Sequence, residues 1–340
     1  MLRISPARPA AFGLTVAALL AYAPAPAAAQ EYKAKQVKMV IGFGPGGGYD
    51  RWARTIAQYI GNHLPGKPTV VSQNMPGAGS FVALNWLASI APKDGSVIAA
   101  VARDAPLGPL TGNKNARFDT LKLSWIGTPT SETNVCIAHK NAKVKSVEDL
   151  MKQELLVADT GPGTGTHVYP IVLREILGMK FKLISGYQSS STAFLAMERG
   201  EVDGICESYD SVGNKKPDWI PNGTVKVLFQ AGTAPEPHIK APYILDFAKT
   251  DEQKKALKFL YAGQGIGRPY VAPPGLPPAI LKAMRDAFNA TMKDPAFRAD
   301  AKKQRLDVEP KTGEQLKQLV EEIYATPKDL VAKIGALIKK

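Results

Sequence analysis

The chain has 340 residues, 45% of them hydrophobic, which is enough for two domains of ordinary size around real cores. Its formal net charge is +13, but no Lys/Arg-rich block is interleaved with aromatics, so a nucleic-acid surface is not indicated. The four histidines, His63, His139, His167 and His238, are scattered without metal-ligand spacing, and no metal or cofactor is expected.

Residues 1–29 read as a targeting segment. Arg3 and Arg8 make a basic start, Ala10 to Ala23 is apolar apart from Thr15, and Ala27-Ala28-Ala29 is a small-residue cleavage site. Cleavage near Ala29 yields an exported, periplasmic chain whose charge, less those two arginines, is +11. The apolar run is too short for a membrane anchor.

A strand-like run, Val37 to Ile41, leads into Gly42-Phe43-Gly44-Pro45-Gly46-Gly47-Gly48-Tyr49-Asp50. Crowded glycines permit positive φ and turn successive N–H groups toward one point, so the loop is expected to bind an anion ahead of a helix. In that helix Trp52, Ile56, Ile60 and Leu64 form an apolar face, with Asp50 placed to cap its start. Gly42, Gly44 and Gly47 also spell a dinucleotide fingerprint, but no acidic residue occurs between Arg51 and Lys93 to hold a ribose. Gly61 to Pro68 nearly spells a P-loop, yet puts Pro68 where a Ser or Thr must hold magnesium. Neither nucleotide reading stands.

A second strand near Val70 precedes the turn Gly77-Ala78-Gly79-Ser80, a helix with Phe81, Leu84 and Leu87, and a buried strand at Val97 to Val101 with Arg103 beyond its end. The middle of the chain repeats the scheme. The strand Leu155 to Ala158 leads into Thr160-Gly161-Pro162-Gly163-Thr164-Gly165-Thr166-His167 and a helix, and Phe181 to Ile184 leads into a polar turn containing Tyr187. Helix Ala193 to Arg199 and strand Val202 to Cys206 follow, with Glu207 at the strand's end. Alternating strands and helices imply parallel sheets with ligands beyond the strands' carboxyl ends. Ala234 to Pro242 is proline-rich and reads as a hinge or crossing, and the C-terminal segments from Ile280 onward are amphipathic helices. Cys136 and Cys206 lie on strand-like runs, and the sequence leaves a disulfide and two buried thiols equally open.

Together these motifs resemble the periplasmic solute-binding proteins of tripartite tricarboxylate transporters, the TctC or Bug family. The matching stretches are Pro45 to Asp50 with Ala53-Arg54, Asn74 to Gly79, Pro92-Lys93-Asp94-Gly95, Gly163 to His167, and Gly200 to Asp203. The resemblance implies an α/β, two-lobed periplasmic-binding-protein type II (Venus flytrap) fold, with residues 30–132 and 233–340 in one lobe and 133–232 in the other. It further implies a monomer that holds a small carboxylate and delivers it to a tripartite tricarboxylate-type membrane permease. Two departures, Tyr49 where a small residue is usual and Gly186-Tyr187-Gln188-Ser189 in a variable turn, point to an atypical or aromatic carboxylate.

The expected ligand-binding residues are Phe43, Gly44, Pro45, Gly46, Gly47, Gly48, Tyr49, Asp50, Gly77, Ala78, Gly79, Ser80, Arg103, Thr164, Gly165, Thr166, His167, Tyr187 and Glu207. Backbone N–H groups from Gly46 to Tyr49 and the hydroxyls of Thr164 and Thr166 are expected to share one carboxylate. No Gly-x-Ser-x-Gly elbow or paired-carboxylate site occurs, so an enzyme is not expected. The rival readings are a hydrolase on the same fold and a ligand-sensing partner of a membrane receptor.

Overall fold

The computed structural model describes residues 1–3 and 32–338; all of the expected targeting segment except its first three residues lies outside them. The chain opens with β1 (Gln36–Ile41), α1 (Gly48–His63), β2 (Thr69–Asn74), α2 (Phe81–Ser89), β3 (Val97–Ala100), α3 (Leu107–Leu110) and β4 (Ser124–Thr128). It then crosses to β5 (Asn134–His139), α4 (Val147–Leu150), β6 (Leu155–Asp159), α5 (Gly165–Leu177), β7 (Phe181–Ser185), α6 (Ser190–Glu198), β8 (Gly204–Ser208), α7 (Tyr209–Lys215) and β9 (Val225–Ala231). The remainder comprises α8 (Asp251–Tyr261), β10 (Tyr270–Ala272), α9 (Pro278–Lys293), α10 (Pro295–Lys303), β11 (Lys311–Thr312), α11 (Gly313–Tyr324) and α12 (Lys328–Ile338).

Two sheets result, ordered β11-β4-β10-β3-β1-β2 and β7-β6-β8-β5-β9. The alternating pattern led us to expect parallel sheets; both are mixed. β1 runs parallel to β2 and β3, and β6 parallel to β7 and β8, as their helical crossovers require. β5 and β10 are antiparallel to their neighbours. Each follows one of the two crossings between the lobes.

The two crossing segments, 129–133 and 262–269, lie side by side. The Glu132 N–H donates to the Gln264 carbonyl (3.0 Å) and the Arg268 N–H to Thr128 Oγ1 (2.9 Å). The proline-rich segment 234–242 is not this crossing. It folds back on β9, where the Gln230 side chain bonds the carbonyls of Ile239 and Ala241 (3.0 Å each) and the Glu236 N–H (2.7 Å). A buried glutamine that fills the turn's polar groups makes it a fixed loop.

Cys136 and Cys206 are register partners on β5 and β8 and form a disulfide. One apolar cluster runs from Phe81, Val101 and Trp125 through Tyr169 and Tyr261 to Val157 and Cys206, so it belongs to both lobes. A second packs α1 against α9 and α10 through Trp52, Ile56, Met284, Phe288 and Phe297, and uses the α1 face expected from its spacing. No helix among the described residues is long and apolar enough to cross a membrane.

Candidate functional site

The two lobes touch. Between them the Gly44 N–H donates to the Gln188 carbonyl (3.1 Å), Ser191 Oγ to the Gly46 carbonyl (2.7 Å) and Arg51 Nη1 to the Asn214 carbonyl (3.1 Å). At their junction lies a small cavity of about 20 Å³, lined by Phe43, Gly47, Gly48, Tyr49 and Arg103 from the first lobe. Asn134, Thr160, Thr164, Gly165, Thr166, Ser189, Ser190, Cys206 and Glu207 line it from the second. Three helix N-termini reach this cavity: α1 through Gly48, α5 through Gly165 and α6 through Ser190. Each brings the positive end of a helix dipole, so together they favour an anion.

The glycine loop works differently from the sequence expectation. Only Gly46 has positive φ, at 82°. A Cβ on Gly47 would stand 3.2 Å from Ser189, and one on Gly48 only 2.5 Å from Ser211 Oγ. These two glycines are there so that the opposite lobe can approach. Asp50 does not cap α1, because the helix begins two residues earlier at Gly48. Its Oδ2 instead accepts the Gly46 N–H (2.8 Å), and its Oδ1 accepts from Arg54 Nε (2.9 Å) and Asn74 Nδ2 (2.8 Å). Asp50 thus braces the loop from behind and occupies the Gly46 donor that we had assigned to a ligand.

Tyr49 stacks on Phe43, with ring centroids 4.2 Å apart, and its hydroxyl accepts the Arg103 N–H (3.0 Å). The Arg268 guanidinium lies over the same ring, 4.5 Å from its centre. Arg103 is 4% exposed and lines the cavity, and its Nε and Nη1 have no hydrogen-bond partner. Its nearest carboxylates are Glu132 at 3.7 Å and Glu207 at 3.8 Å, too far for hydrogen bonds. Burial opposes its charge, but neighbouring Tyr49, Glu132 and Asp104 outweigh that and hold it firmly cationic. Glu132, in the first crossing segment, pairs with Arg268 Nε and accepts from Ser208 Oγ, while Arg268 Nη2 reaches Ser211 Oγ (2.7 Å). Residues of both crossings and both lobes therefore hold the ground around Arg103.

On the α5 side, Thr160, Thr164 and Thr166 form a hydroxyl cluster, with Thr166 Oγ1 2.7 Å from both others. Each hydroxyl has a single proton. Thr164 donates its proton to the Gly161 carbonyl (2.8 Å), and Thr166 Oγ1 accepts the Thr160 N–H (2.9 Å). With the Thr164 proton on Gly161, the 2.7 Å Thr164–Thr166 bond takes the Thr166 proton, so either hydroxyl must give up a bond within the cluster to donate to a ligand.

The cavity gathers nine of the expected residues: Phe43, Gly47, Gly48, Tyr49, Arg103, Thr164, Gly165, Thr166 and Glu207. Gly77, Ala78, Gly79, His167 and Tyr187 line an adjoining, more open interlobe cleft of about 390 Å³ that shares Phe43 and Thr160 with the cavity. There His167 Nδ1 pairs with Asp159 Oδ2 (2.8 Å), a carboxylate that also accepts from Ser185 Oγ (2.7 Å) and the Gly161 N–H (2.7 Å). Despite burial, these bonds keep Asp159 below the usual carboxylate range. Ser80 accepts the Ala102 N–H (2.9 Å) and is wholly buried, Pro45 is exposed, and Gly44 serves the interlobe contact. Asn134, Thr160, Ser189 and Ser190 were missed. Thr160 stood in a quoted loop, and Asn134 carried no motif at all.

The model of the tripartite tricarboxylate transporter family receptor matches residues 52–336. A Cupriavidus necator protein, the UPF0065 protein in the gbd 5′ region, is 26% identical over 94% of each chain. Among solved structures, the periplasmic binding protein BugD superposes with a TM-score of 0.72 at 22% identity, over 89% of this chain and 99% of that one. MatC of Rhodopseudomonas palustris with bound malate gives 0.70 at 21% identity, over 87% and 98%, and an adipate-bound R. palustris protein gives 0.69 at 19%, over 90% and 99%. With two mixed sheets and a cavity between two lobes, and with the family model spanning most of its length, the chain belongs to the tripartite tricarboxylate transporter receptor family of periplasmic solute-binding proteins.

Proposed function

We propose that this chain captures a small organic carboxylate between its lobes and delivers it, unaltered, to a tripartite tricarboxylate-type membrane permease. It would act as a periplasmic monomer, processed near Ala29, with the chain between the two crossings, 134–261, closing on the lobe made by the chain before and after them; the return comes at 262–269, later than the expected 233. The observation that carries the reading is Arg103, a buried cation with two unfilled donor atoms that lines a cavity flanked by three helix N-termini. A carboxylate would fill those donors with charge-assisted hydrogen bonds. Solved structures of the same fold bind malate and adipate, which supports the carboxylate class.

Binding is what this arrangement can do. Among the described residues no histidine lines the cavity, and His167 in the adjoining cleft has its Nδ1 on Asp159. A thermal-shift panel of mono-, di- and aromatic carboxylates tests the reading. A ligand at a hundred times its Kd should stabilise the native chain by about 2.7 kcal/mol. In calorimetry, Arg103→Lys, which keeps the charge and loses the fork of donors, should bind that acid at least about tenfold more weakly. A panel that leaves the melting temperature unmoved contradicts the proposal.

A further inference from the structure

We infer that Asp104, Tyr169 and Gln264 form a clasp between the lobes that sets how far the chain closes on its own. The inference rests on capture between two lobes and concerns the balance of open and closed forms.

The three side chains come from the three parts of the chain that closure moves against one another. Asp104 stands in the turn after β3 in the first lobe, Tyr169 on α5 in the second, and Gln264 in the return crossing. All three are buried. The Tyr169 hydroxyl donates its one proton to Asp104 Oδ1 (2.6 Å), and its oxygen accepts from Gln264 Nε2 (2.6 Å). Burial and the neighbouring Asp104 raise the Tyr169 pKa well above its ordinary value, so the phenol keeps its proton and remains a donor. Two glycines make room for the group. The Tyr169 side chain runs back toward the start of α5, where a Cβ on Gly165 would collide with its ring. A Cβ on Gly263, in the crossing, would stand 2.9 Å from Asp104 Oδ1. The turn that presents Asp104 is fixed by its carbonyl, which accepts the Leu107 N–H (2.9 Å).

None of the three side chains lines the cavity, so the clasp acts on the lobes and not on a bound acid. Its energetics single out the closed form. With the lobes together, losing the Tyr169 hydroxyl leaves a buried acceptor on Asp104 and a buried donor on Gln264, each at its full desolvation cost. When the lobes part, Asp104 and Tyr169 separate and water reaches both groups, so that cost disappears. The loss therefore falls on the closed form alone. It lowers the fraction of chains closed at any moment, and apparent affinity falls with that fraction.

Tyr169→Phe keeps the ring and removes the hydroxyl. Small-angle scattering without added acid should show this variant more extended than the wild type. Ile56→Val, which trims a buried side chain wholly inside the first lobe, controls for lost stability and should leave the scattering profile unchanged. In calorimetry with malate, succinate and adipate, any of these acids that binds the wild type should bind Tyr169→Phe at least about tenfold more weakly. An unchanged scattering profile for Tyr169→Phe overturns the inference, as does an equal opening of Ile56→Val or an undiminished affinity. A wild type that neither binds nor compacts with any carboxylate removes the capture reading instead, and the comparison without acid still decides the clasp.

Discussion

Asp210 sits in the first turn of α7, close to Arg268 and to the crossing segments. Burial and the nearby Glu132 push its pKa up to about 7, with Arg268 only partly opposing them. An acid whose folded pKa is raised above its unfolded value stabilises the fold fully only below that unfolded value, near 3.8. The contribution is lost as pH rises through 7, where the folded state must hold a charge it disfavours. Asp210→Asn should therefore raise stability above pH 7, by on the order of 2 to 4 kcal/mol, and have little effect near pH 4. Urea unfolding of both proteins at pH 4.5 and pH 8 measures this; an equal difference at the two pH values would refute it.

Thr166 lines the cavity, and to donate to a ligand its hydroxyl gives up its bond to Thr164. Thr166→Val should keep the side chain's shape and cost about ten- to a hundredfold in ligand affinity. It should also cost about 1 kcal/mol of stability, because the Thr160 N–H loses its acceptor. Calorimetry on the folded variant separates the two effects, and undiminished affinity would move the carboxylate elsewhere. The sequence could point to Thr166 because a threonine after a glycine turn at a helix start is a local pattern. It could not reveal that Thr164 spends its proton on Gly161, nor that Asp50 lies two residues inside α1, since both depend on the folded path of a glycine loop. Asn134 and the pairing of Glu132 with Arg268 depend on contacts between distant segments, and no local spacing encodes them.

Elements whose cause is local were legible. The apolar face of α1, the start of α5 at a glycine loop, and the C-terminal helices all follow from periodicity and turn chemistry. The antiparallel insertion of β5 and β10 was not, because strand direction depends on where the chain has come from. Segment 234–242 misled for a related reason: prolines mark a rigid path but not its destination, which the Gln230 side chain fixes. The cross-strand disulfide joins the two strands that carry Asn134 and Glu207 into the cavity. Replacing both cysteines by alanine should lower stability by about 2 to 4 kcal/mol in the chain-entropy account of a long closed loop. It should weaken ligand binding less than Thr166→Val, because the β5–β8 ladder remains. Chemical denaturation and titration of the double variant check both statements.

At the scale of the molecule, the two-lobed design was readable as two glycine loops in matching positions. The closeness of the lobes was not. Gly163 in the second lobe has an ordinary backbone conformation, yet a Cβ there would lie 2.7 Å from the Gly79 carbonyl oxygen, 2.8 Å from that of Ala78 and 2.6 Å from the Phe81 ring. All three belong to the opposite lobe, and none lines the small cavity. Gly163→Ala should therefore leave each lobe folded and the cavity side chains intact while blocking full closure. Small-angle scattering of the wild-type and Gly163→Ala chains, each with and without the acid giving the largest thermal shift, tests capture by closure most directly. The account predicts that ligand makes the wild type more compact, whereas Gly163→Ala stays extended and binds at least about tenfold more weakly. A wild type whose dimensions do not change with ligand, or a Gly163→Ala chain that compacts and binds as the wild type does, would contradict it.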